Sequence, residues 1–285
     1  MPRKKSDVGS TQENATTKTM TPKQRINTIV KWIRVYARSA KIDTLVVGIS
    51  GGIDSAVVST LCAMTGLNVH AVSMPICQSK ATHSLSMAHG AWLLEKFPNT
   101  VLHKNIDLTA AFKQFEKATA DGVYNELAYA NSRARLRMMT LYQIAQSMKG
   151  IVVGTGNRVE DFGVGFFTKY GDGGVDISPI GDCLKTQVWD MGRELGVAPE
   201  IIDAAPTDGL WADGRTDEDQ IGMTYPDLER MMALDFLKRA KAVDSDMPGS
   251  TKLSADDRKK LTRYQKLRAR NMHKMQPIPV CKFDQ

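Results

Sequence analysis

The sequence predicts an α/β fold, a doubly wound parallel sheet with helices on both faces. Three observations predict it. Short apolar runs at 44–49, 68–74, 100–106 and 150–156 alternate with longer segments of helical periodicity. No two-residue hairpin signal joins one run to the next, so the strands are expected to run parallel through crossovers. The stretch "LVVGISGGIDSAVVSTLCA" (45–63) places a glycine-rich hinge between a strand and a helix. Such a junction leaves backbone N–H groups at the helix start without partners, and these attract an anion, usually a phosphate. The Lys-Ser/Thr ending of the Walker motif is missing, so this is a phosphate loop of another kind.

Taken in order, Thr21, Pro22 and Gln24 form a helix start: a capping threonine, a proline at the first helical position and a capping-box glutamine. Ile26, Ile29, Val30, Ile33 and Ala37 then make one apolar face, with Trp32 and Tyr36 off its centre. Strand 44–49 and helix 54–65 follow, then strand 68–74, a helix near 81–97, strand 100–106, helical material over 108–118 and 124–148, and strand 150–156. Ligands of open parallel sheets gather at the carboxyl ends of strands, so the loops after Val47 and Val153 are predicted neighbours. Residues 157–182 hold six glycines and five acids, too turn-rich for a regular element. Phe162, Phe166, Phe167 and Tyr170 argue against plain disorder and mark a functional loop. A helix over 183–195, an irregular stretch at 205–219, a helix near 225–240 and a basic helix near 254–270 complete the chain.

With 285 residues, 42% of them hydrophobic, the chain can bury a good-sized core. Nothing is apolar for long enough to span a membrane. Residues 1–20 are basic and polar without an apolar core, which reads as a disordered tail rather than a secretory signal. Residues 21–285 read as a single domain. The four cysteines share no C-x-x-C spacing and fit a reducing cytosol. The net charge of +7 resides at the two ends: six basic against two acidic residues in 1–25, and ten against three in 251–285. Basicity confined to the ends is either solvated helix surface or an anion-binding role, and does not mark the whole protein as a nucleic-acid binder.

The octapeptide "GISGGIDS" (48–55) resembles the SGGxDS pyrophosphate loop of the N-type ATP pyrophosphatases. The segments "NSRARLRM", "GTGNRVED", "GFFTKYGDGGVDISPI", "LKTQVWDMGRELG", "PTDGLW" and "MHKMQPIPVCKFD" come in the order found in the ammonia-dependent NAD synthetase family. "FFTKYGDGG" is highly specific to that family. The resemblance covers roughly residues 21 to 285. It implies an adenine nucleotide alpha hydrolase-like, Rossmann-like fold, a cytoplasmic homodimer, and ATP-dependent amidation of deamido-NAD by ammonia to give NAD, AMP and pyrophosphate through an adenylated intermediate.

Carried over by position, the resemblance implies that Gly48, Ile49, Ser50, Gly51, Gly52, Ile53, Asp54 and Ser55 hold the ATP phosphates, with Thr155, Lys185 and Thr207 as further ATP contacts. Asp54 and Glu160 would ligate Mg²⁺, a hard cation that takes one or two carboxylates plus phosphates. The family commonly shows "GTDHAAE" where this chain has "GTGNRVE" followed by one extra residue before "GFFTKY". Asp161 therefore competes with Glu160 for the second metal position. Arg135, Lys169, Asp176, His273 and Lys274 match deamido-NAD positions, and Tyr36 falls near an aromatic that stacks on the nicotinate from a neighbouring subunit. On residue type alone, Asp54 also reads as a helix-start carboxylate, Lys185 as a solvated lysine, His273 as a surface histidine and Tyr36 as a core tyrosine. Two rivals share the loop: a tRNA-modifying ATP pyrophosphatase, for which the basic C-terminus speaks, and a non-catalytic nucleotide-binding module.

Overall fold

A computed structural model describes residues 20–120, 125–207, 214–239 and 253–283. The first nineteen residues, expected as a tail, lie outside the described residues, as do positions 208–211 of "PTDGLW". Helix α1 (Pro22–Ser39) opens with the predicted capping box: Thr21 Oγ1 accepts from the Gln24 N–H, and Gln24 Oε1 accepts from the Thr21 N–H. Ile26, Ile29, Val30, Ile33 and Ala37 are its buried residues, so the periodic face is the one that docks.

The sheet consists of β1 (Thr44–Gly48), β2 (Asn68–Ser73), β3 (Val101–Asn105) and β4 (Ile151–Val153). All its pairs are parallel and the order is β3-β2-β1-β4. The chain thus steps outward from β1 to β3 and returns to add β4 on the far side of β1. Between β1 and β4 the order reverses, and that is where open sheets of this kind leave a crevice.

Alternation along β1 assigns the two faces. Leu45 and Val47 pack with α1, α2 (Ile53–Ala63), α3 (Lys80–Lys96) and α6 (Lys185–Leu195) in the larger core. Val46, pointing the other way, packs with Val72, Val152 and Ile144 of α5 (Glu126–Ser147). Helix α4 (Thr109–Ala118) precedes α5 and packs on it. A third cluster joins the C-terminal elements: α7 (Pro199–Ile202) is followed by α8 (Asp217–Ile221), α9 (Tyr225–Arg239) and α10 (Ala255–Met275), and Ile221, Leu228, Met231, Leu261 and Tyr264 pack against Val159 and Val164.

Those last two residues mark a departure from expectation. The loop predicted over 157–182 begins with a π-helical turn, Arg158–Val164, capped by Asn157. The Gly165 N–H reaches back five residues to the Glu160 carbonyl. One residue added to an ordinary helical turn produces this spacing. The basic C-terminal helix, which ends five residues later than expected, serves this turn. Arg268 donates to the carbonyls of Phe162 and Gly163 at 2.5 and 2.7 Å, and Asn271 donates to that of Val164 at 2.9 Å. Part of the terminal basicity is thus spent on the chain's own backbone.

Candidate active site

The phosphate loop leaves β1 at Gly48 and enters α2 at Ile53. Gly51 has φ +91° and rests on α3, where a Cβ would lie 2.6 Å from the Thr82 carbonyl oxygen, so both conformation and space demand glycine. Ser55 Oγ donates to the Gly52 carbonyl at 3.0 Å and accepts from the Ser50 N–H at 3.1 Å, while Ser50 Oγ accepts from the Gly52 N–H at 3.2 Å. The two hydroxyls hold the loop in shape. No side chain caps α2, so its first N–H groups open into the crevice and favour an anion.

Facing that opening, three charged side chains from three elements meet. Lys185 Nζ donates to Asp54 Oδ2 at 2.5 Å and to Glu160 Oε1 at 2.9 Å. Lys185 is only 2% exposed, and the Asp54 and Glu160 side chains 18% and 14%. Each is held by its own support. Asn157, fully buried, donates to Asp54 Oδ1 at 3.2 Å and caps the π-turn by accepting from the N–H groups of Val159 and Glu160. The Tyr225 hydroxyl donates to Glu160 Oε1 at 2.5 Å. Glu229 accepts from both the N–H and the hydroxyl of Thr186 at 2.9 Å, and Gln187 accepts from the Leu184 N–H, so the first turn of α6 is fixed beneath Lys185.

Electrostatics follow from this geometry. Burial pushes the Asp54 carboxyl above its ordinary range; the Lys185 charge opposes that and the Glu160 charge adds to it. Burial also pushes Glu160 up, but Lys185 and the Tyr225 hydroxyl outweigh it and leave the group below its usual value. For Lys185, burial favours the neutral amine, yet two carboxylates overcome it and keep the cation. Two hard carboxylate oxygens converging on one cation suit a Mg²⁺ ion that completes its shell with phosphate oxygens and water. Among the described residues no group of three or more His, Cys, Asp or Glu side chains is placed to hold a metal ion by itself.

Glu160, not Asp161, therefore stands opposite Asp54. Asp161 instead lines a cavity of ≈ 270 Å³ with Phe167, Lys169, Tyr170, Lys274 and Ile278. Lys169 Nζ donates to the His273 carbonyl at 3.0 Å, and Lys274 Nζ to that of Phe167 at 2.7 Å. Each ammonium spends one of its three donors this way. Arg135 reaches the Lys169 carbonyl at 3.3 Å, at the same cavity's edge. Asp176 accepts from the Val152 N–H at 2.7 Å and from the Tyr142 hydroxyl at 3.0 Å, which ties the loop to β4. Thr155 lies two residues past the end of β4, after Gly154, while Thr207 bonds the Arg215 carbonyl at 3.3 Å at the edge of positions 208–213, which lie outside the described residues. Tyr36 sits on the outer side of α1, 36% exposed and stacked on Trp32 at 5.9 Å, away from the cavity lining. Asn157, Tyr225 and Glu229 were not singled out from the sequence. Asn157 carries a legible signal, a capping residue type before an acidic turn; nothing local announces that Tyr225 reaches a carboxylate 65 positions away.

A sheet of this topology with a phosphate loop and a carboxylate pair at its switch point defines a class, the α/β nucleotide enzymes built like the N-type ATP pyrophosphatases. The sequence profile described as NAD synthase matches residues 25–278. The chain belongs to the NAD synthase family, and with it to the ATP-using, amide-forming ligases. The NH(3)-dependent NAD(+) synthetase of Carboxydothermus hydrogenoformans is 36% identical over 230 residues, 76% of this chain and 90% of that protein. The protein of the same name from Methanosarcina mazei is 34% identical over 259 residues, 89% and 96% of the two chains. Among solved structures, NMN synthetase from Francisella tularensis aligns with a TM-score of 0.78 at 33% identity, covering 93% of this chain and all of that one.

Proposed function

We propose that this chain converts deamido-NAD to NAD with ammonia at the expense of ATP, as a cytoplasmic homodimer using Mg²⁺. The observation that carries the reading is the convergence of Asp54 and Glu160 on Lys185 in front of the uncapped start of α2. A carboxylate is a poor acyl donor, so the reaction takes two steps. A nicotinate oxygen attacks the α-phosphorus of ATP and the bond to pyrophosphate breaks. The lone pair of ammonia then attacks the acyl carbon, AMP leaves with the former carboxylate oxygen, and the nitrogen loses a proton to become the amide.

Both partners of the first step are anionic, and the chain's own groups bring them together. Residues 48–55 cradle the departing phosphates through backbone N–H groups, and Lys185 holds a positive charge in a nearly water-free site where it acts strongly. Asp54 and Glu160 would hold Mg²⁺, which would supply neutralisation of phosphate charge and so a better pyrophosphate leaving group. Thr155 and Thr207 complete the ATP side. Arg135, Lys169, Asp176, His273 and Lys274 take the acceptor, with Tyr36 supplied from the second subunit. No side-chain nucleophile is needed, because ATP supplies the activation and the site mostly positions. The deciding assay is pyrophosphate release by the purified chain, which is expected to require deamido-NAD, ATP and ammonia together. Release that instead requires tRNA, or no release at all, would reject the reading.

A second reading concerns the acceptor alone. The likeness to NMN synthetase spans nearly the whole chain, and amidating nicotinate mononucleotide would use the same chemistry on half the ligand. Comparison of kcat/KM for the two acceptors separates the readings.

A further inference from the structure

Gly156 stands between Thr155 and Asn157 at the carboxyl end of β4. Its φ lies outside the left-handed region, so the backbone conformation does not call for glycine. Asp161 does. A Cβ on residue 156 would stand 1.8 Å from Asp161 Oδ2, 2.4 Å from Cγ and 2.8 Å from Oδ1. The whole carboxylate therefore lies on the glycine. Its carrier is the widened turn Arg158–Val164. The same carboxylate lines the cavity that holds Phe167, Lys169 and Lys274.

We infer that Asp161 is a positioning and specificity-determining residue of the acceptor site, delivering from the π-turn the carboxylate that the family pattern "GTDHAAE" carries at the place of Gly156. The glycine and the extra residue before "GFFTKY" are then one structural change rather than two. A carboxyl group at this junction accepts hydrogen bonds from ribose hydroxyls and fixes the ribose beside the phosphate loop. That leaves the pyridine carboxylate to face ATP. Burial, with the like charges of Asp172, Glu160 and Asp54, pushes the Asp161 carboxyl well above its usual range, and Lys274 opposes that push. The inference rests on the assignment of this cavity to the acceptor.

The test is steady-state kinetics of Asp161→Ala, Gly156→Ala, the double variant and Gly156→Asp/Asp161→Ala, with Lys274→Ala as control. Gly156→Ala displaces the carboxyl group and should reproduce Asp161→Ala: KM for deamido-NAD up about tenfold, the cost of one hydrogen bond, with KM for ATP nearly unchanged. The double variant should be no worse than either single one, since both remove the same interaction. Returning the carboxylate from position 156 should recover most of the loss. Asp161→Asn, which keeps the shape, carries the test if the alanine variant fails to fold, and it too should raise KM for the acceptor. A Gly156→Ala variant with normal KM, or effects that add in the double variant, would overturn the inference. If Lys274→Ala raises the acceptor KM and Asp161→Ala does not, Asp161 loses its role while the cavity keeps its ligand; if neither does, the cavity assignment falls as well.

Discussion

At the scale of single residues, the Lys185 cluster is held together by partial compensation. Removing the lysine would leave two buried carboxylates facing each other, the costly way to break such a group. Replacing Asp54 by asparagine should be milder for the fold, because Glu160 still pairs with Lys185 and the amide oxygen can still accept from Asn157. Asp54→Asn is therefore expected to keep a native circular dichroism spectrum while pyrophosphate release falls roughly a hundredfold or more, the scale of losing a metal's charge stabilisation. Near-normal release at ordinary Mg²⁺ would take Asp54 out of the metal site. The glycine at 51 and the serines at 50 and 55 were legible as loop residues, whereas the hydrogen bonds of Ser50 and Ser55 to the loop itself emerge only from the folded geometry.

Elements show how a local pattern is put to use. The π-turn leaves backbone carbonyls unpaired at its end, and α10 supplies the donors. Arg268→Ala removes a charged donor from two of them, at a cost of about 1.5–3 kcal/mol. The melting temperature is expected to drop by about 5 °C, with acceptor binding weakened because the same turn carries Asp161. An unchanged melting temperature would show the turn to be held by other means. Between α2 and α3, His89 Nε2 pairs with Ser59 Oγ at 2.9 Å. Burial pushes the imidazole down from 6.5 to about 4, with a smaller opposite contribution from the Ala56 carbonyl. A group depressed in the fold contributes stability that is present above its unfolded value and lost as pH falls through its folded value. The urea midpoint should accordingly decline between pH 6.5 and about 4, and His89→Gln should flatten that decline. A decline equally steep in the variant would place its cause elsewhere.

For the whole molecule, the unresolved demand is the outer side of α1. Its buried face docks on α6 and α2, and Arg34 ties it to the carbonyls of Met64 and Thr65 at the end of α2. Trp32, Val35 and Tyr36 remain exposed. A helix docking on its own subunit along one face needs one stripe, and a second apolar stripe calls for a second surface. Light scattering is expected to report about twice the 31.4 kDa chain mass. Trp32→Glu should lower that mass and raise KM for deamido-NAD more than for ATP. A monomer with full activity and normal acceptor affinity would remove the shared-site idea.

The sequence by itself determined the alternation of strands and helices, the α1 capping box, the phosphate loop and the family, because each is written in residues within a few positions of one another. Periodicity and capping are local energies, and a loop of eight residues carries its own geometry. Only the tertiary structure decided which carboxylate faces Asp54, because the answer depends on the angular advance of one π-turn that places Glu160 toward Lys185 and Asp161 over Gly156. The same holds for Asn157, Tyr225 and Glu229, whose partners lie 103, 65 and 43 positions away. Contacts over such separations are set by how the sheet order brings the ends of β1 and β4 together, and side-chain spacing along the chain does not encode that distance.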